Sequence, residues 1–173
     1  MAPSPVKAQG HALWLIADDR ASGKYSKIIQ RLAEKTHTPI FDPHITLLSG
    51  LSGPEQDLKR KLTVLVAKQR RFAVSFVGIN YEDSYFRALF LRAPLDDSIR
   101  ALHRRAAHIF DVQSTDYMPH LSLLYGNLPL SAKQALSALA KGAPVHVTIQ
   151  RIDLYKSEGN VEEWRKIAEA YLT

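Results

Sequence analysis

The stretch DPHITLLSG, residues 42–50, returns 76 residues later as MPHLSLLYG, residues 118–126. Both copies carry Pro-His, a hydroxyl two residues on, a leucine pair and a glycine. Each is a short apolar run broken by polar side chains at alternate positions, which reads as a strand. Positions i and i+2 of a strand face the same side. His44 with Thr46, and His120 with Ser122, therefore project in pairs, while Ile45 and Leu121 point into a core. A fold for this chain has to hold two such strands and use both.

The rest of the chain fits around them as two similar halves. Residues 12–17 read as a buried strand, and Ser22 caps a helix running to about Lys35. The first motif strand follows, with Pro43 at its start because proline donates no ladder hydrogen bond. A helix comes next, with Ser52 or Gly53 before Pro54 in its first turn. Residues 72–81 alternate as a strand. The second half repeats the order: a strand over 85–93, a helix opened by Asp96 or Asp97 and running to about Phe110, and the second motif strand. A helix from Leu130 to about Lys141 and a strand over 145–156 complete it. A last helix is expected over 161–172. The spacing predicts an internal duplication, about 12–81 and 85–156, within one domain spanning 11–173, preceded by a loose tail over residues 1–10. No linker separates the halves, so close packing is expected.

Composition narrows the chemistry. The 173 residues contain no cysteine, which removes disulfides, thiolate metal sites and cysteine nucleophiles together and fits a reducing cytoplasm. No apolar run approaches a membrane span, and the first residues do not resemble a signal peptide, so neither membrane insertion nor export is expected. The net charge of +6 and pI near 9.6 favour anionic partners, nucleotides and nucleic acids among them, or simply a basic surface.

Two strands that each present an imidazole beside a hydroxyl, facing one another across a cleft, suit phosphodiester hydrolysis. One neutral imidazole takes a proton from water while the other, protonated, gives one to the departing oxygen. Two hydroxyls donate to the non-bridging oxygens, where charge is held in the transition state. Histidine populates both forms near neutrality. Two histidines with no carboxylate pattern give no recognisable metal site and no cofactor is expected. Asp42 and Asp116 beside the motifs read as turn-forming or N–H-accepting residues.

These residues resemble the paired His-x-Thr/Ser signature of the 2H phosphoesterase superfamily, and most closely its plant and fungal cyclic phosphodiesterases. The segments LWLIADD, DPHITLLSG, YFRALFLRA, PHLSLLYGNL and EEWRKIAEAYL fall in that family's order. Plant members carry disulfides, which this chain cannot form. The resemblance implies an α+β, bilobal fold: two pseudo-symmetric, antiparallel-rich sheets flanked by helices, with the active site in the cleft between them. It implies metal-independent hydrolysis of a nucleoside 2′,3′-cyclic phosphate to the 2′-phosphate, or of ADP-ribose 1″,2″-cyclic phosphate to the 1″-phosphate. His44 and His120 then form the acid–base pair, with His120 as base and His44 as acid by analogy, though near-symmetry makes the reverse almost as good. Thr46 and Ser122 hold the phosphate. Tyr125 resembles a family tyrosine near the phosphate, but stands at i+3 from Ser122 and needs a bend near Gly126 to reach the site.

Phe86 and Trp14 are candidates for stacking on a base, with core packing as the competing role. Arg87, Arg92 and Lys24 could meet a second phosphate, or be solvated. The alternatives to a small cyclic nucleotide substrate are RNA 3′ ends, as for the RNA 2′,3′-cyclic phosphodiesterases called 2′-5′ RNA ligases, and a non-catalytic nucleotide- or RNA-binding module. A monomer is expected.

Overall fold

The structure, a computed structural model, describes residues 7–113 and 116–173. Strand β1 (His11–Ala17) leads into helix α1 (Asp19–Thr36), strand β2 (Ile45–Leu51) and helix α2 (Glu55–Val66). Strands β3 (Phe72–Ser75), β4 (Ile79–Asn80) and β5 (Leu89–Arg92) follow, then helix α3 (Asp97–Phe110) and strand β6 (His120–Leu124). Helix α4 (Leu130–Ser137), strand β7 (His146–Lys156) and strand β8 (Arg165–Tyr171) end the chain.

The strands run in the order β3-β7-β1-β2-β6-β5-β4, with β8 also on β7, and every pairing is antiparallel. The sheet has two arms, β3-β7-β1-β2 and β6-β5-β4, and neither is one of the expected halves 12–81 and 85–156, because β7 lies in the first arm and β4 in the second. The arms meet at one ladder pair, Ile45 opposite Leu121. Buried apolar side chains of all four helices pack on one face: Tyr25, Ile29 and Leu32 from α1, Leu58, Leu62 and Leu65 from α2, Ile99, Leu102 and Phe110 from α3, and Leu136 from α4. The opposite face carries a second cluster of Ala12, Trp14, Ile16 and Tyr155, edged by Trp164. That face holds the cleft.

Several boundaries differ from the sequence reading, each for a local reason. Asp18, not Ser22, caps α1, its carboxylate accepting from the Ala21 N–H at 3.0 Å, while the Ser22 hydroxyl donates to the Ala17 carbonyl. Pro54 stands just before α2 rather than in its first turn. The expected single strand over 72–81 is two strands on different partners. β3 pairs with β7, and after Gly78, at φ 126°, β4 pairs with β5. In between, the Phe76 N–H donates to Val145 and the Val77 N–H to Arg92. One segment thus ties the two ends of the sheet together and curls it.

Tyr85–Arg87 form a 3-10 turn, so β5 is shorter than expected. The turn is held from outside the strand, by the Arg87 N–H on the Ser84 carbonyl and by the buried Lys133 ammonium on the Glu82 carbonyl at 2.6 Å. The expected C-terminal helix is instead a 3-10 turn over Val161–Glu163 and the strand β8. Its Ala, Glu and Lys favour a helix in isolation. But β7 is 11 residues long and β3 covers only His146–Ile149, leaving bare ladder groups that β8 satisfies over Arg151–Lys156. Of the tail expected over 1–10, residues 1–6 lie outside the described part. Ala8 and Gly10 are tied down, accepting from the N–H groups of Gly159 and Ser157. Among the described residues no helix is long and apolar enough to cross a membrane.

Candidate active site

The leucine pair in each motif has a structural purpose. Along β1 and β2, Leu13 stands opposite Leu48 but Trp14 opposite Thr46, so Leu47 is one residue too many. Along β5 and β6, Leu89 stands opposite Leu124 but Phe90 opposite Ser122, so Leu123 is the extra residue. Both motif strands therefore carry a β-bulge at the same position, three residues after the histidine. The bulge sends two successive leucines into the core and resets the alternation behind them. Tyr125 thereby returns to the face of Ser122, and the break in parity lies at Leu123 rather than near Gly126.

The Ile45–Leu121 pair joins equivalent residues of the two motifs. Continued one residue each way, this antiparallel register sets His44 across from Ser122 and Thr46 across from His120. The four polar side chains form a square with the imidazoles on one diagonal, where cross-strand neighbours lie ~7–8 Å apart. An approximate two-fold axis runs through its centre. The cleft above it has a volume of about 480 Å³, and its lining includes His44, Thr46, His120, Ser122, Tyr125, Phe86 and Trp14. The candidate catalytic, phosphate-holding and base-stacking residues from the sequence thus line one cleft.

Each imidazole is fixed by the carbonyl two residues before it. His44 Nδ1 lies 2.6 Å from the Asp42 oxygen, and His120 Nδ1 lies 2.9 Å from the Met118 oxygen. A carbonyl only accepts, so Nδ1 carries the hydrogen and donates in both. That leaves Nε2 of each neutral ring as the nitrogen free for chemistry. Between the two ends of each contact stands a proline, Pro43 or Pro119, whose fixed φ stiffens the loop.

The two rings differ in setting. His44 is 5% exposed and stacks on Trp14 at 3.6 Å with the planes 4° apart. Burial, with the nearby His120 adding, lowers its pKa from 6.5 to about 4, against the opposing pull of the Asp42 carbonyl. His120 is half-buried and lies edge-on to Phe90. Burial lowers its pKa too; the Met118 carbonyl opposes this and the Arg87 charge adds to it.

The hydroxyls also differ. Thr46 Oγ1 has no hydrogen-bond partner among the described residues, whereas Ser122 Oγ donates to the Phe86 carbonyl at 2.7 Å. Tyr125 is buried, its ring stacked on Phe41 at 3.7 Å. Burial holds its hydroxyl well above the usual phenol pKa, so it stays protonated and able to donate.

Trp14 is not a platform for a base. It is 2% exposed, with His44 on it at 3.6 Å and Tyr155 on it at 3.6 Å, and those two rings make no contact with each other, so both faces are covered. It serves as the back wall of His44. Tyr155 is in turn held by donating to the Asp42 carboxylate at 2.5 Å. Phe86 is half-buried and does face the cleft, with Trp164 at 5.9 Å and Tyr125 at 5.2 Å. Trp164 was hidden from sequence reasoning by the helix expected there. Arg87 lines the cleft, paired with Glu82 at 2.7 Å. Arg92 stands across the ladder from His120 but outside the lining, and Lys24 is exposed on α1. Ser49, Gly50, Gln9, Ser84 and Ser157 complete the polar lining. Among the described residues no three His, Cys, Asp or Glu side chains come together as a metal-holding group.

Comparison with known proteins finds relatives that match over most of the chain. The family model of the 2′-5′ RNA ligase superfamily matches residues 11–161. A cyclic phosphodiesterase of Arabidopsis thaliana is 22% identical over 130 residues, 75% of this chain and 72% of that protein. A 2′,3′-cyclic-nucleotide 3′-phosphodiesterase of Neurospora crassa is 30% identical over 142 residues, 70% of this chain and 64% of that protein. Among solved structures, E. coli LigT complexed with 3′-AMP superposes with a TM-score of 0.60 at 13% identity, covering 96% of this chain and 99% of LigT, which shows a shared fold.

Proposed function

Because this chain belongs to the 2′-5′ RNA ligase superfamily, we propose that it is a cyclic phosphodiesterase, hydrolysing nucleoside 2′,3′-cyclic phosphates to 2′-phosphates without a metal. We extend the proposal to ADP-ribose 1″,2″-cyclic phosphate. The observation that carries it is the diagonal pair of imidazoles, each with Nδ1 committed to a carbonyl and Nε2 free. An in-line displacement needs the entering water and the leaving oxygen on opposite sides of phosphorus. Imidazoles carried on diagonal strand positions, which lie ~7–8 Å apart, leave room for one phosphate between them. Two relatives named for this activity support the reading.

In the proposed reaction His120 Nε2 takes a proton from water as its oxygen adds to phosphorus. The P–O3′ bond breaks, and O3′ takes a proton from His44 Nε2. Thr46 and Tyr125 donate to the non-bridging oxygens, and Ser122 joins them once its hydroxyl turns from the Phe86 carbonyl. Both rings favour the neutral form in the free protein. The proton that His44 delivers is therefore stabilised by the substrate's own negative charge, and the depressed pKa makes His44 a strong acid once protonated. Among the described residues the cleft is lined by one guanidinium, already paired, and this suits a nucleotide rather than a long RNA, which would need an extended cationic track.

The test is incubation in EDTA with 2′,3′-cyclic AMP, 2′,3′-cyclic CMP and ADP-ribose 1″,2″-cyclic phosphate, with products identified by phosphorus NMR. Turnover lost in His44→Ala and His120→Ala is expected. Silence on all three in the wild type would refute the proposal, and turnover of an RNA 3′-cyclic phosphate in its place would move it to RNA ends.

A further inference from the structure

Two residues stand at the same point of the two motif strands and have nothing else in common. The bulge at Leu47 turns Ser49 to the cleft as the bulge at Leu123 turns Tyr125. Each precedes a glycine with positive φ, Gly50 at 67° and Gly126 at 150°. The axis that exchanges His44 with His120 therefore exchanges Ser49 with Tyr125. Tyr125 is buried and continues through Phe86 to Trp164 as an aromatic wall. Ser49 is exposed, and its hydroxyl has no hydrogen-bond partner among the described residues. One flank of the cleft is aromatic; the other is short, polar and open.

A cyclic phosphate poses a difficulty for a site built this way. Its phosphorus is bound to two ribose oxygens on adjacent carbons, and either can leave. The four central groups, an imidazole and a hydroxyl from each motif, are nearly interchangeable by the two-fold axis. They do not determine which ester oxygen meets which imidazole. Their roles are not interchanged in the proposed reaction, where His44 is the acid in either seating, so a ribose seated the other way round would offer its other bond to His44 and yield the other monophosphate. The choice has to be made outside the square.

We propose that the difference between Ser49 and Tyr125 makes it. The base is drawn to the wall of Tyr125, Phe86 and Trp164, and Ser49 is the small polar residue that denies it a matching seat opposite. Ser49 is then a specificity-determining residue for which P–O bond breaks, an inference that rests on the cyclic phosphodiesterase reading. The atoms balance in either seating. Water's oxygen joins phosphorus, its proton goes to one imidazole, one ester bond breaks, and the freed ribose oxygen takes a proton from the other imidazole. Only the identity of the broken bond changes.

The test makes the flanks alike with Ser49→Tyr and keeps them unlike with Ser49→Ala. Products of 2′,3′-cyclic AMP are separated as 2′-AMP and 3′-AMP, and 2′-AMP, 3′-AMP and inorganic phosphate are titrated by calorimetry. Wild type and Ser49→Ala should form one isomer. In Ser49→Tyr the other isomer should rise to roughly a tenth of product or more, and the 2′-AMP to 3′-AMP affinity ratio should move at least about fivefold toward unity, because a second stacking seat now competes. Phosphate affinity should not change. An unchanged affinity ratio in Ser49→Tyr would overturn the inference, as would a single isomer from an active variant or a loss in Ser49→Ala equal to that in Ser49→Tyr. A wild type that leaves cyclic AMP untouched overturns the activity reading instead, and the affinity ratio still judges the seat; if the wild type binds neither nucleotide, the seat falls too.

Discussion

Acidification should unfold this protein partly through one side chain. His44 is nearly fully buried, and its pKa lies at about 4 against 6.5 for an ordinary imidazole. Its folded value is depressed, so the unfolded chain binds the proton more readily. The stability it confers is complete above pH 6.5, and is lost as pH falls toward 4. From pH 7 to pH 5 only the unfolded form titrates appreciably, which costs about 2 kcal/mol at 1.36 kcal/mol per unit. Below pH 4 the loss levels off at about 3 kcal/mol. His120 adds a loss of the same sign. The perturbation is His44→Gln, which removes the titrating group and keeps a polar side chain of similar size. Urea unfolding at pH 7 and pH 5 is the assay, read as the change in midpoint multiplied by the slope. Wild type should lose about 2 kcal/mol more than the variant over this interval. Parallel losses in the two proteins, or a His44 ring titrating near 6.5 by NMR, would refute the reasoning.

Further consequences can be checked directly. kcat/KM should peak below pH 6.5 and fall about tenfold per unit above its optimum, because both imidazoles of the free protein have lowered pKa values. The kcat optimum should sit higher, since the bound anion favours the protonated ring. Arg87→Gln should raise the pKa of His120, visible by NMR, because the guanidinium charge helps hold it down. Thr46→Val should cut activity at nearly unchanged stability, its hydroxyl being free. Ser122→Ala should cut activity and also cost ~1–3 kcal/mol in urea unfolding, because the Phe86 carbonyl loses its donor. Trp14→Ala should cost ~3–5 kcal/mol and shift the His44 titration upward, as water reaches the ring face that Trp14 covers.

What could be read from the sequence is what repeats or alternates. The paired motifs placed His44, Thr46, His120 and Ser122 on one face because strand alternation is local. The buried face of α1 is equally visible in the spacing of Tyr25, Ile28 and Leu32. Choices made by distant partners were not visible. Residues 161–172 compose a good helix and become a strand because β7 has an open edge. The doubled leucines announced a bulge in each motif strand, but reading them so requires the register of β1 and β5. Trp14 read either as a core residue or as a stacking platform, and the choice is made by Tyr155, distant in sequence, which covers its second face.

The place of β7 in the sheet also governs when the molecule can assemble. β1 is made before β7, yet it is flanked on one side by that strand, with Leu13 opposite Leu154. Tyr155, which closes the stack behind His44, arrives on the same strand. The first motif therefore cannot be completed until β7 has been made, and such long-range pairing folds slowly. A nascent chain stalled before β7 would present β1, one of the most apolar strands of the protein, with one edge bare, and would be the species that chaperones have to hold.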